Sequence, residues 1–364
     1  MRHVLQNQAK RRVVSALDPR FLPKGMNLNS TPTTSGRLAI EAEMARQVPN
    51  ALATFDNGAA VASQIAQSLK VSKSLLMFGM GGSHAIGRAL EPIYRSLGID
   101  AFAVPMSEQL NTSIPLHNKT LLISSQSGES GEILRFLDSL PSKANVFGIT
   151  LDASSTVGRS IPCVVGEGGP EVAYAATRSL TLTFAAHVAI LAALGVDVAP
   201  TLAALKSQCS QDVSEAVQSF KGVSTIAATG RELIGMAEAA ALGFSELSRL
   251  PAFAQESGQL RHGPMEMLDP HIGVIIFRSQ EVGIELLEGL IHATRDAGAT
   301  VIVFDASGAP PVSGVVTLRF PVSSGLTAVF HILPTMQNLM LSFAATRVAD
   351  VGTPRRSKKI TGEK

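Results

Sequence analysis

Two short segments of the chain concentrate the groups that hold phosphate. The first, Gly79-Met80-Gly81-Gly82-Ser83-His84, joins an apolar run to a helix-like stretch. Closely spaced glycines let a backbone approach an anion, and a helix start supplies free amides and the positive end of a dipole. The spacing is not that of a P-loop, since no Gly-Lys-Ser/Thr follows, and His84 in the sixth place makes it a poor dinucleotide fingerprint. Taken alone, the segment reads equally well as a tight strand-to-helix turn without a ligand. The second segment, Ser124-Ser125-Gln126-Ser127-Gly128-Glu129-Ser130, crowds four hydroxyls and an amide side chain into one turn. Hydroxyls and backbone amides together can grip a phosphate dianion without Lys or Arg. Capping a helix needs only one hydroxyl, so a ligand is the favoured reading here.

The elements that position these segments come in two copies. The run Leu75-Leu76-Met77-Phe78-Gly79 has a counterpart in Ile226-Ala227-Ala228-Thr229-Gly230. Leu121 to Gln126 pairs with Val274 to Gln280, and a run ending Asp152-Ala153-Ser154 pairs with one ending Asp305-Ala306-Ser307. The offsets are 151 (79 to 230), 154 (126 to 280) and 153 (152 to 305), a nearly constant spacing that implies a duplicated domain. In the first copy, short apolar runs at 74–78, 119–124, 146–150 and 162–165 read as buried parallel strands, and 84–97, 130–139 and 177–195 as helices. This alternation predicts an α/β fold, a parallel sheet with helices on both faces. Ligands of such sheets sit beyond the carboxyl ends of the strands, where both Ser-bearing segments fall.

Composition bounds the rest. Lys and Arg total 31 against 29 Asp and Glu, without the dominant basic field of a nucleic-acid binder. With no Trp and two Tyr, stacking platforms for single strands are not expected either. A chain of 364 residues that is 45% hydrophobic buries a large core. Cys163 and Cys209 are too few for a disulfide framework, so a cytoplasmic, reducing home is the default. No secretory h-region is visible near the start, and the most apolar stretch, Leu180 to Leu194, is too short to span a bilayer and reads as a buried helix. No paired His and acid spacing suggests a metal, and no Gly-x-Ser-x-Gly turn suggests a hydrolase triad.

Gly81-Gly82-Ser83 followed by Ser125-Gln126-Ser127-Gly128-Glu129-Ser130 resembles the signature of the sugar isomerase (SIS) domain family. Gln259-Leu260-Arg261-His262-Gly263-Pro264 is similar to a Glu-Leu-Lys-His-Gly-Pro segment in the second SIS domain of the glucosamine-6-phosphate synthase group. Pro354-Arg355-Arg356-Ser357-Lys358-Lys359-Ile360-Thr361 resembles that group's Pro-Arg-x-x-x-Lys-x-Thr tail. The resemblance implies two tandem SIS domains, each a three-layer sandwich. They are expected over 36–205 and 206–350, with an N-terminal tail or linker at 1–35 and a catalytic tail at 351–364. Nothing at Met1 resembles the synthase's N-terminal nucleophilic cysteine, so glutamine-dependent amination is not expected.

Residue by residue, the resemblance implies that Ser83, Ser125, Gln126, Ser127 and Ser130 hold the phosphate of a 6-phosphosugar, with Gly81, Gly82 and Thr177 lining the sugar site. Ala176 replaces a serine of the family's Val-Ala-Ser-Thr run. Glu246, sixteen residues before His262, matches the carboxylate that moves a proton between the first two sugar carbons, chemistry a positioned carboxylate suits. His262 matches the ring-opening histidine, often supplied by a neighbouring subunit, which implies a homodimer with a shared site. Lys359 matches the tail lysine that meets the substrate carbonyl as an imine-forming amine, with Lys358 one register away. Two departures bear on the substrate: Gly243 stands where the group carries Lys, and Gln259 where it carries an acid. The implied function is isomerisation and deamination of an amino-sugar 6-phosphate without a metal or organic cofactor. The rivals are a deglycase of a 6-phosphorylated Amadori compound and a phosphosugar sensor without chemistry.

Overall fold

The computed structural model describes residues 34–359. Nearly all of the 1–35 tail or linker, and residues 360–364 of the expected catalytic tail, lie outside the described residues. Two helices, α1 (Ser35–Asn57) and α2 (Ala59–Ser72), lead into β1 (Ser74–Gly79), α3 (Gly82–Ser96), β2 (Asp100–Pro105), α4 (Met106–Asn111) and β3 (Thr120–Ser124). Then come α5 (Gly131–Ser139), β4 (Val146–Thr150), α6 (Thr156–Ser160), β5 (Cys163–Val165) and α7 (Arg178–Leu194). Helices α8 (Ala199–Ser207) and α9 (Ser214–Ser219) connect to β6 (Thr225–Gly230), α10 (Ile234–Ser248), β7 (Ala252–Glu256) and α11 (Ser257–Arg261). The chain continues through β8 (Ile272–Ser279), α12 (Ile284–Asp296), β9 (Thr300–Ala306), β10 (Val316–Arg319) and α13 (Gly325–Arg347).

The strands form two parallel five-stranded sheets ordered β2-β1-β3-β4-β5 and β7-β6-β8-β9-β10. The two orders are the same permutation, and Gly79 and Gly230 close equivalent strands, which is the duplication expressed as topology. In each sheet the first two strands of the copy pair, and the third then joins the other side of the first. The gap between β1 and β3 is therefore the point where connections leave in opposite directions, the usual seat of a ligand in an open α/β sheet.

Burial follows the sequence pattern in the centre of the sheets and departs from it at the edge. β1, β3 and β4 are buried along their whole length, as continuous apolar runs in a doubly covered sheet should be. β2 is an edge strand with only alternate burial, and Phe102 is half exposed under the Arg95 guanidinium. Sequence reasoning missed it although Ala101 to Val104 is an unbroken apolar stretch. The Leu180 to Leu194 stretch is indeed a buried helix, α7, with fourteen of its seventeen residues inside. α13 is long and apolar enough to cross a membrane by length and composition, but 78% of its most apolar window is buried within the protein, as in a core helix.

Close helix contacts tie the second half to the first. A Cβ on Gly235 of α10 would lie 2.2 Å from the Ala89 amide nitrogen and 2.3 Å from the Ala85 carbonyl oxygen of α3. The two backbones therefore touch at a point only glycine permits. Arg88 of α3 donates to Glu238 of α10 at 3.3 Å. This packing lays one face of α10 along the carboxyl end of the first sheet.

Candidate active site

A cavity of about 370 Å³ opens where β1 and β3 end. Its wall combines Met80 to Ser83 after β1, Ser124 to Ser127 and Ser130 after β3, Glu171, Tyr174, Ala176 and Ser179 before and within α7, Leu242 and Glu246 of α10, and Ser357, Lys358 and Lys359 of the tail. Of the residues the sequence singled out, Gly81, Gly82, Ser83, Ser125, Gln126, Ser127, Ser130, Glu246 and Lys359 meet in this one space.

The end formed by the two loops is built for an anion. Gly81, at φ +52°, starts α3 with no side-chain cap, and Ser130 starts α5 without its hydroxyl capping it. Two helix N-termini thus face the cavity with unclaimed amide character. Ser125 Oγ accepts from the Gly128 amide at 3.1 Å, and Ser127 Oγ from the Glu129 amide at 3.2 Å, so these two hydroxyls also shape the turn. The hydroxyls of Ser83 and Ser130 make no hydrogen bond among the described residues and are free for a ligand. Gly128, at φ +64°, packs so tightly on Ser155 that a Cβ would sit 2.0 Å from Ser155 Oγ. The Glu129 carboxylate pins the far side by accepting from the amide and hydroxyl of Thr156 at 2.6 and 3.0 Å.

The opposite end holds two carboxylates and the tail lysine. Leu242 and Glu246 are one turn apart on α10 and share the cavity-facing side. Burial pushes the Glu246 carboxyl up to about 7; the Lys359 charge pulls it down and the Glu171 charge adds to the rise. A carboxyl poised there can both take and return a proton near neutral pH. Lys359 Nζ donates to Glu171 Oε2 at 3.0 Å and to the Tyr174 carbonyl at 3.2 Å. The tail reaches this position because Arg249 clamps Asp350 at 2.6 Å and Thr34 Oγ1 donates to the Val351 carbonyl at 2.8 Å. Tyr174 and Ser357 also touch through their hydroxyls. The side chain in register with Glu171 is therefore that of Lys359, while Lys358, one place earlier, is exposed along the same wall.

Three positions that the sequence singled out lie outside this cavity's wall. Thr177 is buried behind the wall, where its amide and hydroxyl both serve Glu171 at 3.0 and 3.3 Å; Ser179, two residues on, faces the cavity instead. His262 is exposed at the end of α11 and is not part of this cavity's wall. Gly243 packs on α13: a Cβ there would meet Met340 Sδ at 2.3 Å, so a lysine would require the Met340 side chain to move. Sequence reasoning also missed Glu171, which stands before α7 in no recognised pattern.

A second, smaller cleft of about 190 Å³ shares Met80, Gly81 and Leu242 with the first and adds His84, Ala85, Pro105 and Glu238. His84 Nδ1 lies 3.8 Å from Glu238 Oε2. Burial lowers the His84 pKa, helped by the Arg88 charge, and burial raises that of Glu238. Among the described residues, no group of three or more His, Cys, Asp or Glu side chains gathers as metal ligands would.

No family model matches the chain. In sequence it is 26% identical over 272 residues to the isomerizing glutamine–fructose-6-phosphate aminotransferase of Gluconobacter oxydans, a match that takes in 66% of this chain and 44% of that protein. The chain thus spans less than half the length of that curated relative. Its fold matches the C-terminal domain of glucosamine-fructose-6-phosphate aminotransferase from Francisella tularensis with a TM-score of 0.73 at 18% identity, over 87% of this chain and 98% of that one. It also matches tagatose-6-phosphate ketose/aldose isomerase from Escherichia coli (TM-score 0.71, 18% identity, 90% and 100% covered). A third match is glucosamine-6-phosphate deaminase from Thermotoga maritima (TM-score 0.65, 18% identity, 86% and 100% covered). The fold is that of two tandem SIS domains, and the chain resembles the isomerase portion of the aminotransferase.

Proposed function

We propose that this chain, built on the tandem SIS fold, is a phosphosugar isomerase and deaminase acting on an amino-sugar 6-phosphate. The observation that carries the reading is convergence. A hydroxyl-rich anion site, a carboxyl poised near neutrality and a half-buried lysine come from three distant parts of the chain into one 370 Å³ cavity. A pocket that size suits a small polar ligand. The names of two structural matches, a glucosamine-6-phosphate deaminase and a glucosamine-fructose-6-phosphate aminotransferase, support the amino-sugar choice.

In this account, Ser83, Ser125, Gln126, Ser127 and Ser130 grip the phosphate through hydroxyls, amides and helix ends, with Gly81 and Gly82 allowing close approach. His262 opens the sugar ring; its exposure outside its own cavity fits delivery from a partner subunit in a homodimer. Glu246 as carboxylate lifts the proton from C2 and returns it to C1. The C2–N bond becomes an imine, the Lys359 amine adds at C2 and expels ammonia, and water then hydrolyses the lysine imine and frees the lysine, so that glucosamine 6-phosphate plus water gives fructose 6-phosphate plus ammonia. Lys359 serves the carbonyl carbon as an amine nucleophile. The reaction needs ionised Glu246, so kcat falls as pH drops through about 7.

The test is ammonia release from glucosamine 6-phosphate by the purified protein. Wild type should release ammonia and fructose 6-phosphate in equal amounts, Lys359→Ala should lose turnover, and Glu246→Gln should lose turnover while still binding the sugar. Failure of wild type to release ammonia would exclude this substrate. The adjoining 190 Å³ cleft favours one alternative, a deglycase, because it offers room for a substituent beyond the sugar. Release of an amino acid from a 6-phosphorylated Amadori compound, without ammonia release from glucosamine 6-phosphate, would select it.

A further inference from the structure

Glu171 sits in the connection between β5 and α7, and its side chain is inaccessible to solvent. The carboxylate takes five hydrogen bonds. Oε1 accepts from the Thr177 amide and hydroxyl at 3.0 and 3.3 Å and from the Ser179 amide at 3.2 Å. Oε2 accepts from Ser179 Oγ at 2.7 Å and from Lys359 Nζ at 3.0 Å. Closing off the start of α7 accounts for four of these. The fifth reaches 188 residues along the chain to the tail. Ser357 and Lys358 just before it are exposed, so the lysine enters the cavity where Glu171 and the neighbouring Tyr174 carbonyl receive it.

We propose that Glu171 is a positioning residue for the reaction: its buried carboxylate fixes the Lys359 nitrogen at the sugar's carbonyl end and remains its counter-ion through imine formation. The inference rests on the role given to Lys359 above. Ammonium plus carbonyl gives iminium plus water. The C=O oxygen leaves as water with two of the nitrogen's protons, and a C=N bond replaces it. The nitrogen carries one positive charge at both ends of this step, so one fixed anion serves the ammonium and the iminium alike. A preorganised anion aimed at a charge of this kind acts without reorganising at the moment of reaction. The contact also explains the chain's architecture here. One side chain locks the mouth of the sugar pocket and the tail together, so the lysine is held only when the loop before α7 is formed.

The experiment is borohydride trapping at saturating fructose 6-phosphate or glucosamine 6-phosphate, with the adduct mapped by peptide mass spectrometry and phosphosugar affinity measured in parallel. Wild type should be labelled at Lys359. Glu171→Gln keeps acceptors for the α7 amides but loses the anion. It should keep phosphosugar affinity within about threefold, because the phosphate loops are untouched, while the Lys359 adduct and kcat fall at least about tenfold at nearly constant KM. Thr177→Val removes the buried hydroxyl's 3.3 Å bond to the same carboxylate and leaves the charge, so it should be labelled as wild type. A merely structural Glu171 would lower affinity and labelling together in both variants, and that result would overturn the proposal, as would a Glu171→Gln protein labelled like wild type. If Glu171→Gln does not fold, Glu171→Asp decides: it keeps the charge one methylene short of the amine, and undiminished labelling would contradict the proposal. A wild type that forms no adduct with either sugar would remove the catalytic reading of Lys359, and this inference with it.

Discussion

Replacing Glu246 by Gln should make the protein more stable as it makes it inactive, and the pH dependence of that gain is the informative part. Burial holds the Glu246 carboxyl at about 7, against an ordinary value of 4.5. A carboxyl whose pKa is raised by folding contributes its full stability below the unfolded value, and that contribution is lost as pH rises through the folded value. Below about pH 4.5 the residue is neutral in both states, and Gln, its neutral near-isostere, should match it. Between 4.5 and 7 the unfolded chain ionises first. Above 7 the native state must carry a poorly solvated charge. The gap sets a ceiling of roughly 3 kcal/mol, and partial solvent contact at the cavity mouth trims this to about 2 kcal/mol. Urea unfolding of both proteins at pH 5 and pH 8.5 should show a small difference at the first and about 2 kcal/mol in favour of Glu246→Gln at the second. Equal stability of the two proteins at pH 8.5, or a gain that does not grow with pH, would refute the view that this carboxyl is held strained for proton transfer.

Three further outcomes follow from the geometry. Ser83→Ala and Ser130→Ala each remove a hydroxyl with no hydrogen-bond partner among the described residues, so melting temperature should hold while phosphosugar affinity, read by calorimetry, falls by roughly 10- to 100-fold, the worth of one hydrogen bond to a charged group. Gly128→Ala forces a side chain into φ +64° and against Ser155, whose hydroxyl also caps α6, so it should lose phosphosugar binding and melt several degrees lower. Gly243→Lys must displace the Met340 side chain, whose Sδ lies 2.3 Å from the new Cβ, and should cost about 1–3 kcal/mol, measured by denaturant unfolding.

The parts of the fold and site that could be read from sequence share a physical reason. Central parallel strands are buried on both faces and stand out as apolar runs, so β1, β3, β4 and the repeat they belong to were visible. The edge strand β2, only partly buried, was missed although Ala101 to Val104 is apolar throughout. The phosphate loops were legible because four hydroxyls in one turn exceed what local structure needs. Glu171 was not, because its meaning lies in a contact between a loop and a tail lysine 188 residues away, which no local pattern encodes. Thr177 and Ser179 show the limit of motif transfer. Two residues apart at the start of α7, the first turns inward to Glu171 and the second faces the cavity, a difference set by backbone direction rather than by residue type. Gly243 reads as a lost functional group in sequence and as a helix contact in three dimensions.

The central claim is that this cavity moves a proton between adjacent sugar carbons, and proton NMR of glucosamine 6-phosphate with the protein in D2O tests it most directly. The account predicts fructose 6-phosphate bearing solvent deuterium at C1, formed with ammonia and absent when Glu246→Gln replaces wild type. A wild-type protein that binds the sugar phosphate tightly yet leaves every carbon-bound proton in place would contradict it, and would assign the cavity to sensing instead.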